Sequence, residues 1–263
     1  MTENILRILA DSARIRVQNS KKVVSFNEMA NAATKMDCDT GFPFEKALKR
    51  EGMAFICECK KASPSKGVIA EEFPYLDIAK EYEAAGAAAI SVLTEPTQFL
   101  GEGRFLKDIS ENVSVPCLRK DFIVDEYMIY EAKTLGASAV LLICSLLNQE
   151  DLRRYINICH RLGMTAFCET RTASEIDAAV RAGARVIGVN NRDLRDFSVN
   201  LNTCIMLRKL VPDDIIFVAE SGISAREDIE RLEKAGVDAV LIGETLMRAP
   251  DKRKMLDELR GRA

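Results

Sequence analysis

Charged and amide side chains stand at the ends of six short apolar runs in this 263-residue sequence. Carboxylates and lysines are groups that enzymes use to move protons, while amides and hydroxyls orient polar substrates. The side chains concerned are Glu58, Lys60, Thr94, Glu95, Arg119, Lys120, Asp121, Glu169, Asn190, Asn191, Glu220 and Ser221. Their repeated position predicts that the runs are strands whose polar ends meet in one site.

Lys120 is the best candidate for a catalytic acid among these residues. A partly desolvated lysine beside carboxylates can hold a proton and deliver it to a reacting group. The same side chain is also suited to forming a Schiff base. Strand alternation alone leaves open whether Arg119 or Lys120 points inward.

The first of these runs ends in alternating charges and thiols. Because side chains alternate between the faces of a strand, Glu58 and Lys60 share one face and Cys57 and Cys59 share the other. Burying a charged pair against a helix layer would be costly, so we expect the pair to face the open site. A structural ion pair is the alternative interpretation. The two cysteines have no second pair at metal-ligand spacing and predict no metal site.

Two groups of loop residues suit a phosphate group. Residues 62–67 contain two serines, a lysine and a glycine, which offer hydroxyl donors and positive charge. Gly222 and Gly243 follow the last two runs, where glycine lets backbone N–H groups approach an anion closely. Glu244 suits an anion site only if its carboxylate points away. Tight turns that bind nothing are the alternative explanation.

The apolar runs recur with amphipathic helical segments between most of them. Eight runs have the length of strands and cover residues 54–57, 88–93, 113–118, 139–144, 164–168, 186–189, 215–219 and 239–242. Runs that are apolar on both faces are typical of parallel strands covered by helices, and eight such units predict a (β/α)8 barrel. An open doubly wound sheet is the rival, but it usually has about five or six strands.

The expected architecture is a single α/β domain over residues 1–263, a TIM barrel in which residues 1–50 form an N-terminal helical extension. Helical patterns at 5–16 and 43–50 support the extension. In a parallel barrel all the strand ends converge on one rim, where the active sites of this fold lie. The polar strand ends are therefore expected to form an active site.

Composition excludes several classes of protein. Hydrophobic residues make up 48% and the net charge is −3, which gives enough apolar material for a core and no basic excess for nucleic acid. No apolar stretch of about 18 residues predicts a membrane helix, and residues 1–12 lack a secretory signal pattern. The eight cysteines lie mostly in apolar runs and indicate reduced core thiols of a cytoplasmic protein.

His160 is the single histidine of the chain. It lies at the end of a helical segment, where a cation suits the helix dipole. We expect it to be structural and assign it no catalytic role.

Five motifs occur in order along nearly the whole chain. They are CECKKASPSKG at 57–67, SVLTE at 91–95, LRKDFI at 118–123, IGVNNRDL at 187–194 and AESGI at 219–223. Together they resemble the indole-3-glycerol phosphate synthase family, the barrel enzymes of tryptophan biosynthesis.

The resemblance implies a carboxy-lyase that acts on 1-(2-carboxyphenylamino)-1-deoxyribulose 5-phosphate. Such an enzyme closes the indole ring with loss of CO2 and water, and it needs no metal and no organic cofactor. Lys120 is then implied as the general acid that protonates the substrate carbonyl. Glu169 would stabilise positive charge on the anilino nitrogen, Glu58 and Lys60 would assist dehydration, and Asn190 would bind the sugar part.

The other implied contacts lie at the two ends of the substrate. Arg192 and Glu220 fit the anthranilate carboxylate, and Ser221 fits the wall of the site. The implied phosphate contacts are Ser63, Gly222, Ile242 and Gly243.

The sequence departs from the family's pattern in two places. The family often has Val-Glu-Val-His around the glutamate of the fifth strand, whereas residues 168–171 read CETR, so Arg171 stands at the histidine position. A further cation is therefore expected near Glu169. The loop at 94–101 is variable in the family, and Phe99 or Leu100 is expected to contact the aromatic ring.

Two other functions stay open from the sequence. One is a different phosphosugar barrel, either an isomerase or a Schiff-base aldolase that uses Lys120. The other is a barrel kept only as an assembly partner, which would not need the charged strand ends. The predicted partner is a phosphorylated small molecule, with no nucleic acid and no membrane. A monomer is compatible with the sequence, and contact with other tryptophan-pathway enzymes stays open.

Overall fold

Eight parallel strands close into a barrel at the centre of the molecule. The computed structural model describes residues 5–193 and 196–262, so Leu194 of the fourth motif lies outside the described residues. The barrel strands are β1 (Ala54–Cys59), β2 (Ala89–Leu93), β3 (Cys117–Lys120), β4 (Ala139–Ile143), β5 (Thr165–Thr170), β6 (Val186–Asn190), β7 (Ile216–Glu220) and β8 (Ala239–Ile242). Each strand pairs in parallel with the next, and β8 pairs with β1 to close the barrel. The predicted (β/α)8 barrel is confirmed.

Seven of the eight strands differ from their predicted bounds, most of them by one or two residues. The third run was expected at 113–118, but β3 begins only at Cys117. Pro116 has no N–H group to donate to a neighbouring strand, which favours a strand start after it. In the fourth run, β4 ends at Ile143 and Cys144 begins a short 3-10 helix, Cys144–Leu146.

Helices surround the barrel in the described part of the chain. Those after β1 are α4 (Tyr75–Ala84), α5 (Gly103–Ser110), α6 (Tyr127–Thr134), α7 (Gln149–Arg161), α8 (Ala173–Ala182), α9 (Asn202–Arg208), α10 (Arg226–Lys234), α11 (Glu244–Arg248) and α12 (Lys252–Leu259). Side-chain caps fix several starts: Asn148 accepts the N–H of Asp151 before α7, and Thr172 accepts the N–H of Glu175 before α8. No helix within residues 5–193 and 196–262 is long and apolar enough to span a membrane.

Three helices precede β1, namely α1 (Ile5–Val23), α2 (Phe26–Thr34) and α3 (Pro43–Leu48). The last of them lies under the amino ends of the strands. There the ring of Phe44 meets the ring of Phe167 edge-on, with 6.3 Å between centroids. Thr165, the first residue of β5, donates a hydrogen bond to the Glu45 carboxylate at 3.1 Å. This helix therefore seals the floor of the barrel.

The first helix packs at the opposite end, beside the carboxyl ends of the strands. Arg16 of α1 donates to the Asp121 carboxylate at 2.7 Å and to the Thr94 carbonyl at 3.1 Å. These two acceptors follow β3 and β2. The helical extension therefore contacts both ends of the barrel.

The cysteines and the histidine lie away from the mouth of the barrel. All eight thiols are free, and all but Cys38 are buried, as predicted. His160 lies in the last turn of α7, where a cation would suit the helix dipole. Burial, and then the nearby charge of Arg185, lower the pKa of His160 to about 4, so the ring is neutral at pH 7. It packs edge-on against Phe42, with 5.9 Å between centroids.

Phe44→Ala is expected to lower the free energy of unfolding by about 3–5 kcal/mol. The side chain is fully buried, and its removal leaves a cavity between α3 and the barrel. Urea denaturation followed by circular dichroism measures the change. Ile15→Ala is the control because Ile15 is 65% exposed on α1, and its effect should stay within about 0.5 kcal/mol. A similarly small effect for Phe44→Ala would contradict the sealing role of α3.

Candidate active site

A cavity of about 460 Å³ opens at the carboxyl ends of the barrel strands. Active sites of (β/α)8 barrels lie on this face. The structure brings to the cavity lining the twelve residues for which the resemblance implies a role: Glu58, Lys60, Ser63, Lys120, Glu169, Asn190, Arg192, Glu220, Ser221, Gly222, Ile242 and Gly243. Thr94, Glu95, Arg119 and Asn191 also stand at strand ends, but they do not line the cavity.

Lys120 stands at the centre of the charged cluster. It is the inward-facing residue of β3, and its Nζ lies 3.4 Å from a carboxylate oxygen of Glu220 and 3.5 Å from one of Glu169. Burial disfavours the ammonium form, but the charges of Glu220, Glu169 and Glu58 outweigh it and raise the pKa of Lys120. The ammonium is therefore fully populated at neutral pH.

Glu220 has the opposite electrostatic balance. It is buried at the end of β7, where burial and the charge of Glu169 raise its pKa to about 8, although Lys120 acts against the shift. Gly188 of β6 makes room for it, because a Cβ there would overlap the Phe167 ring and the Glu220 carboxylate. The Glu220 carboxyl group therefore holds its proton to a higher pH than an ordinary glutamate does.

Glu58 and Lys60 form a direct ion pair at the end of β1. Their charged atoms are 2.6 Å apart, and the Ser91 hydroxyl donates to the other Glu58 oxygen at 3.4 Å. Burial raises the pKa of Glu58, but the charges of Lys60 and then Lys120 lower it by more, so the net shift of the pKa is downward. Gly243 is needed beside the pair, since a Cβ there would collide with both charged groups. The pair faces the cavity, as predicted.

Arg119 points away from the cavity, which settles the alternation left open by the sequence. It is 3% exposed, lies 2.7 Å from the Glu131 carboxylate and donates to the Met128 carbonyl at 2.9 Å. A second salt bridge, at 3.3 Å, joins it to the Asp121 carboxylate. Arg119 and Asp121 therefore anchor the backbone on both sides of Lys120.

The end of β6 supplies an amide and a guanidinium. Asn190 donates to the Glu169 carboxylate at 3.4 Å and accepts the backbone N–H of Arg192 at 3.0 Å. Arg192 donates to the Phe197 carbonyl at 3.3 Å. The side chains of Asn190 and Arg192 are thus held by neighbouring groups at one side of the cavity.

Asn191 supports the next strand end from behind. Its side-chain amide donates to the carbonyls of Glu220 and Ser221, each at 3.1 Å. Ser221 has a left-handed φ of 65°, a conformation that is uncommon for a residue other than glycine. The two hydrogen bonds hold this turn in place.

The polar end of the cavity is formed by three loops, which contain Ser63, Gly222 and Gly243. Ser63 belongs to a two-residue hairpin arm that pairs with Gly67–Val68. Thr245 of α11 donates to the Ile223 carbonyl at 2.8 Å and so joins the last two loops.

Glu244 also lines the cavity, and its carboxylate forms salt bridges with basic side chains at the polar end. It lies 3.2 Å from Arg248, 3.4 Å from Lys66 and 3.9 Å from Arg192. The carboxylate is therefore neutralised by its neighbours, which removes the objection that it would repel an anion.

The other end of the cavity is apolar. Phe99 and Phe122 line it, with 6.2 Å between ring centroids. Leu100, the other residue expected to touch an aromatic ligand, does not line the cavity. Ile5 and Leu9 of α1 do line it, and sequence analysis missed them. The amphipathic pattern of α1 predicts a buried face but does not say which part of the barrel that face covers.

Arg171 is directed to the β6 loop. Its guanidinium lies 3.1 Å from the Asp193 carboxylate and donates to the Arg192 carbonyl at 3.0 Å. The cation expected near Glu169 therefore has partners of its own, and it holds the backbone of Arg192 in place.

Within residues 5–193 and 196–262, no cluster of three or more His, Cys, Asp or Glu side chains is arranged to hold a metal ion.

A closed (β/α)8 barrel with a buried acid–base cluster in an open cavity defines a barrel enzyme. The model of the indole-3-glycerol phosphate synthase family matches residues 6–259, so the chain belongs to that family. It is therefore a carboxy-lyase of tryptophan biosynthesis.

Relatives of the same name match nearly the full length. The chain is 54% identical to indole-3-glycerol phosphate synthase of Ruminiclostridium cellulolyticum, over 98% of this chain and 100% of that one. It is 46% identical to the enzyme of Lachnoclostridium phytofermentans, over 97% of this chain and 98% of that one. Among solved structures, 3-hexulose-6-phosphate synthase from Salmonella typhimurium superposes with a TM-score of 0.65. That match covers 80% of this chain and 100% of the other at 15% identity, which shows the fold alone.

Glu220 is expected to make the protein less stable as the pH rises from about 6.5 to 8. Its pKa is raised from 4.5 to about 8 on folding, so in this window the folded protein holds a proton that the unfolded chain has lost. The free energy of unfolding therefore falls with rising pH, by an amount on the order of 1 kcal/mol. The lowered pKa of His160 gives the opposite slope, but only below about pH 6.5.

Urea denaturation of the wild-type protein and of Glu220→Gln at several pH values measures this effect. The substitution removes the titrating group, so the fall in stability between pH 6.5 and 8 should be lost. Equal slopes for the two proteins would contradict the assignment of the raised pKa to Glu220.

Proposed function

We propose that the rim cavity closes the indole ring of 1-(2-carboxyphenylamino)-1-deoxyribulose 5-phosphate, releasing CO2 and water and leaving indole-3-glycerol phosphate. The observation that carries the proposal is the Lys120 ammonium, which stands between the carboxyl groups of Glu169 and Glu220 in the centre of the cavity. A reaction that protonates a carbonyl and passes through a cation needs an acid with carboxylates beside it.

Lys120 acts first in the proposed reaction. The ring carbon that bears the substrate carboxylate attacks the ribulose carbonyl carbon, and Lys120 gives its proton to the carbonyl oxygen. The attack leaves positive charge on the anilino nitrogen, which the Glu169 carboxylate stabilises. Loss of CO2 then returns its bonding electron pair to the ring and restores aromaticity.

The Glu58–Lys60 pair acts on the hydroxyl group that the first step creates. Lys60 protonates that hydroxyl as it leaves as water, and Glu58 assists removal of a proton from the neighbouring methylene carbon. The 2.6 Å contact between the two groups supports this division, because it places an acid and a base side by side. The new carbon–carbon double bond completes the indole.

The residues that line the cavity support the proposed placement of the substrate's groups. Ser63, Gly222, Ile242 and Gly243 would hold the phosphate, and Asn190 the sugar hydroxyls. Arg192 would bind the anthranilate carboxylate beside Ser221, and the raised pKa of Glu220 keeps a second negative charge away from it. The benzene ring would lie against Phe99 at the apolar end.

The raised pKa of Lys120 argues against a Schiff-base aldolase. A Schiff base forms from the neutral amine, whereas the surrounding carboxylates favour the ammonium. Proton donation remains favourable, because the developing alkoxide is a far stronger base than a lysine amine.

The reaction itself is tested by fluorescence. The chain contains no tryptophan, so an increase in indole emission after mixing with the substrate reports the product. A sustained increase with purified protein supports the proposal. A flat trace from folded protein that binds the substrate would overturn it.

Lys120→Ala is expected to lower kcat by about 10²–10⁴-fold, because the carbonyl oxygen loses its proton donor. The Kd of the substrate should change much less, since phosphate, ring and carboxylate contacts lie elsewhere. Steady-state turnover and equilibrium titration separate the two quantities. Lys254→Ala is the matched control, because Lys254 is 73% exposed on α12. An unchanged kcat for Lys120→Ala would exclude Lys120 as the acid.

A further inference from the structure

A turn after β2 is organised around the side chain of Glu95, which is only 1% exposed. One carboxylate oxygen accepts the N–H of Thr97 at 2.8 Å and its hydroxyl at 2.5 Å. The other oxygen accepts the N–H of Gln98 at 2.8 Å and that of Phe99 at 3.0 Å. Four donors from three consecutive residues therefore converge on one carboxylate.

Backbone contacts close the same turn, residues 95–101, which we call the Glu95 turn. The N–H of Gly101 donates to the Glu95 carbonyl at 2.8 Å and joins its two ends. Leu100 has a left-handed φ of 51°, which is unfavourable for leucine. A Cβ at Gly101 would overlap the backbone of Leu93, so the turn packs directly on the end of β2.

The Glu95 turn presents Phe99 to the cavity. The ring of Phe99 lies at 42° to the ring of Phe122 across the apolar end. Phe122 is held separately, because its N–H donates to the Asp121 carboxylate at 2.8 Å. Glu95 itself does not line the cavity, so any effect it has on a ligand passes through the turn.

A buried carboxylate is costly unless hydrogen-bond donors replace the water it has lost. In the Glu95 turn three of the four donors are backbone N–H groups, which would lose their protein partner if the carboxylate were absent. The carboxylate and the turn therefore stabilise each other, and the position of Phe99 depends on both.

We propose that Glu95 is a positioning residue that gives the cavity its preference for ligands with a planar aromatic ring, by holding Phe99 against the ring. The inference rests on the proposed function, in which the ring of the substrate lies at the apolar end. The phosphate end, at Gly222 and Gly243, is built from other loops. A change at Glu95 should therefore weaken binding of the ring and leave binding of phosphate unchanged.

Glu95→Gln tests this dependence with little change of volume. An amide has one accepting oxygen, and its NH2 group faces backbone N–H donors. It can satisfy either Thr97 or the pair Gln98 and Phe99, but not both sets. The turn should then lose its fixed geometry at Phe99.

The measurement is a pair of calorimetric titrations on each protein. One ligand is indole-3-glycerol phosphate, which has a ring and a phosphate, and the other is glycerol 3-phosphate, which has no ring. Glu95→Gln is expected to weaken the first ligand by about tenfold and to leave the second within about twofold. Glu102→Gln is the matched control, because Glu102 is exposed just beyond the turn and should change neither Kd.

A double-mutant cycle shows whether Glu95 acts through Phe99. Phe99→Ala alone should weaken indole-3-glycerol phosphate, and adding Glu95→Gln to it should cause little further loss. A full additional loss in the double variant would mean that Glu95 acts elsewhere, which would overturn the inference.

Thr97→Val keeps the test decisive if Glu95→Gln does not fold. It removes one of the four donors from an exposed residue and should weaken only the ring-bearing ligand, by about threefold. Equal Kd values for wild type and the folded variants, or equal losses for both ligands, would refute the role of Glu95. Failure of the proposed function is recognised separately, because the wild-type protein would then bind the two ligands equally and form no product.

Discussion

The electrostatic balance around Lys120 is the interaction on which the rest of the site depends. Its ammonium shares one desolvated space with Glu169, Glu220 and Glu58. Removing charges from water is costly unless opposite charges and hydrogen bonds replace the solvent. The closed barrel supplies this replacement, because neighbouring parallel strands bring residues that are distant in sequence to one rim. Burial and the charge of Glu169 raise the pKa of one carboxyl group, Glu220, which limits the negative charge of the cluster.

The need to pack these charges explains several small or strained residues. Gly188 leaves the volume that the Glu220 side chain occupies, and Gly243 does the same for the Glu58–Lys60 pair. Ser221 adopts a left-handed backbone that Asn191 holds from behind. Behind the rim, buried carboxylates outside the reaction hold backbone segments in place. The site is thus rigid because its supports are fixed by hydrogen bonds of their own.

Much of this arrangement follows from the sequence. Eight apolar runs predicted the barrel, and strand alternation placed Glu58 and Lys60 on the cavity side. Alternation failed to choose between Arg119 and Lys120, because the choice depends on where the partner Glu131 lies on a later helix. The amphipathic pattern of α1 could not place this helix over the apolar end of the cavity. Such a pattern shows which face of the helix is buried, but not which part of the barrel that face contacts. The boundary of β3 was missed because Pro116 interrupts an otherwise apolar run.

The protonation state of His160 also could not be predicted from the local sequence. A cation would suit its place at a helix end, but burial beside Arg185 favours the neutral ring. Arg171 lies two residues after Glu169 in the sequence, and its partners lie in the β6 loop. In both cases contacts from distant parts of the chain, and not the local sequence, decide how the side chain is used.

The protonation state of Lys120 tests the account most directly. Protein labelled with 15N-lysine, with the Nζ signal assigned by its loss in Lys120→Arg, can be titrated by NMR in the absence of substrate. We predict that the Lys120 signal stays that of an ammonium beyond the ordinary pKa of 10.5, and that Glu169→Gln lowers its midpoint. A Lys120 that titrates at or below its ordinary pKa in the wild-type protein would contradict the account.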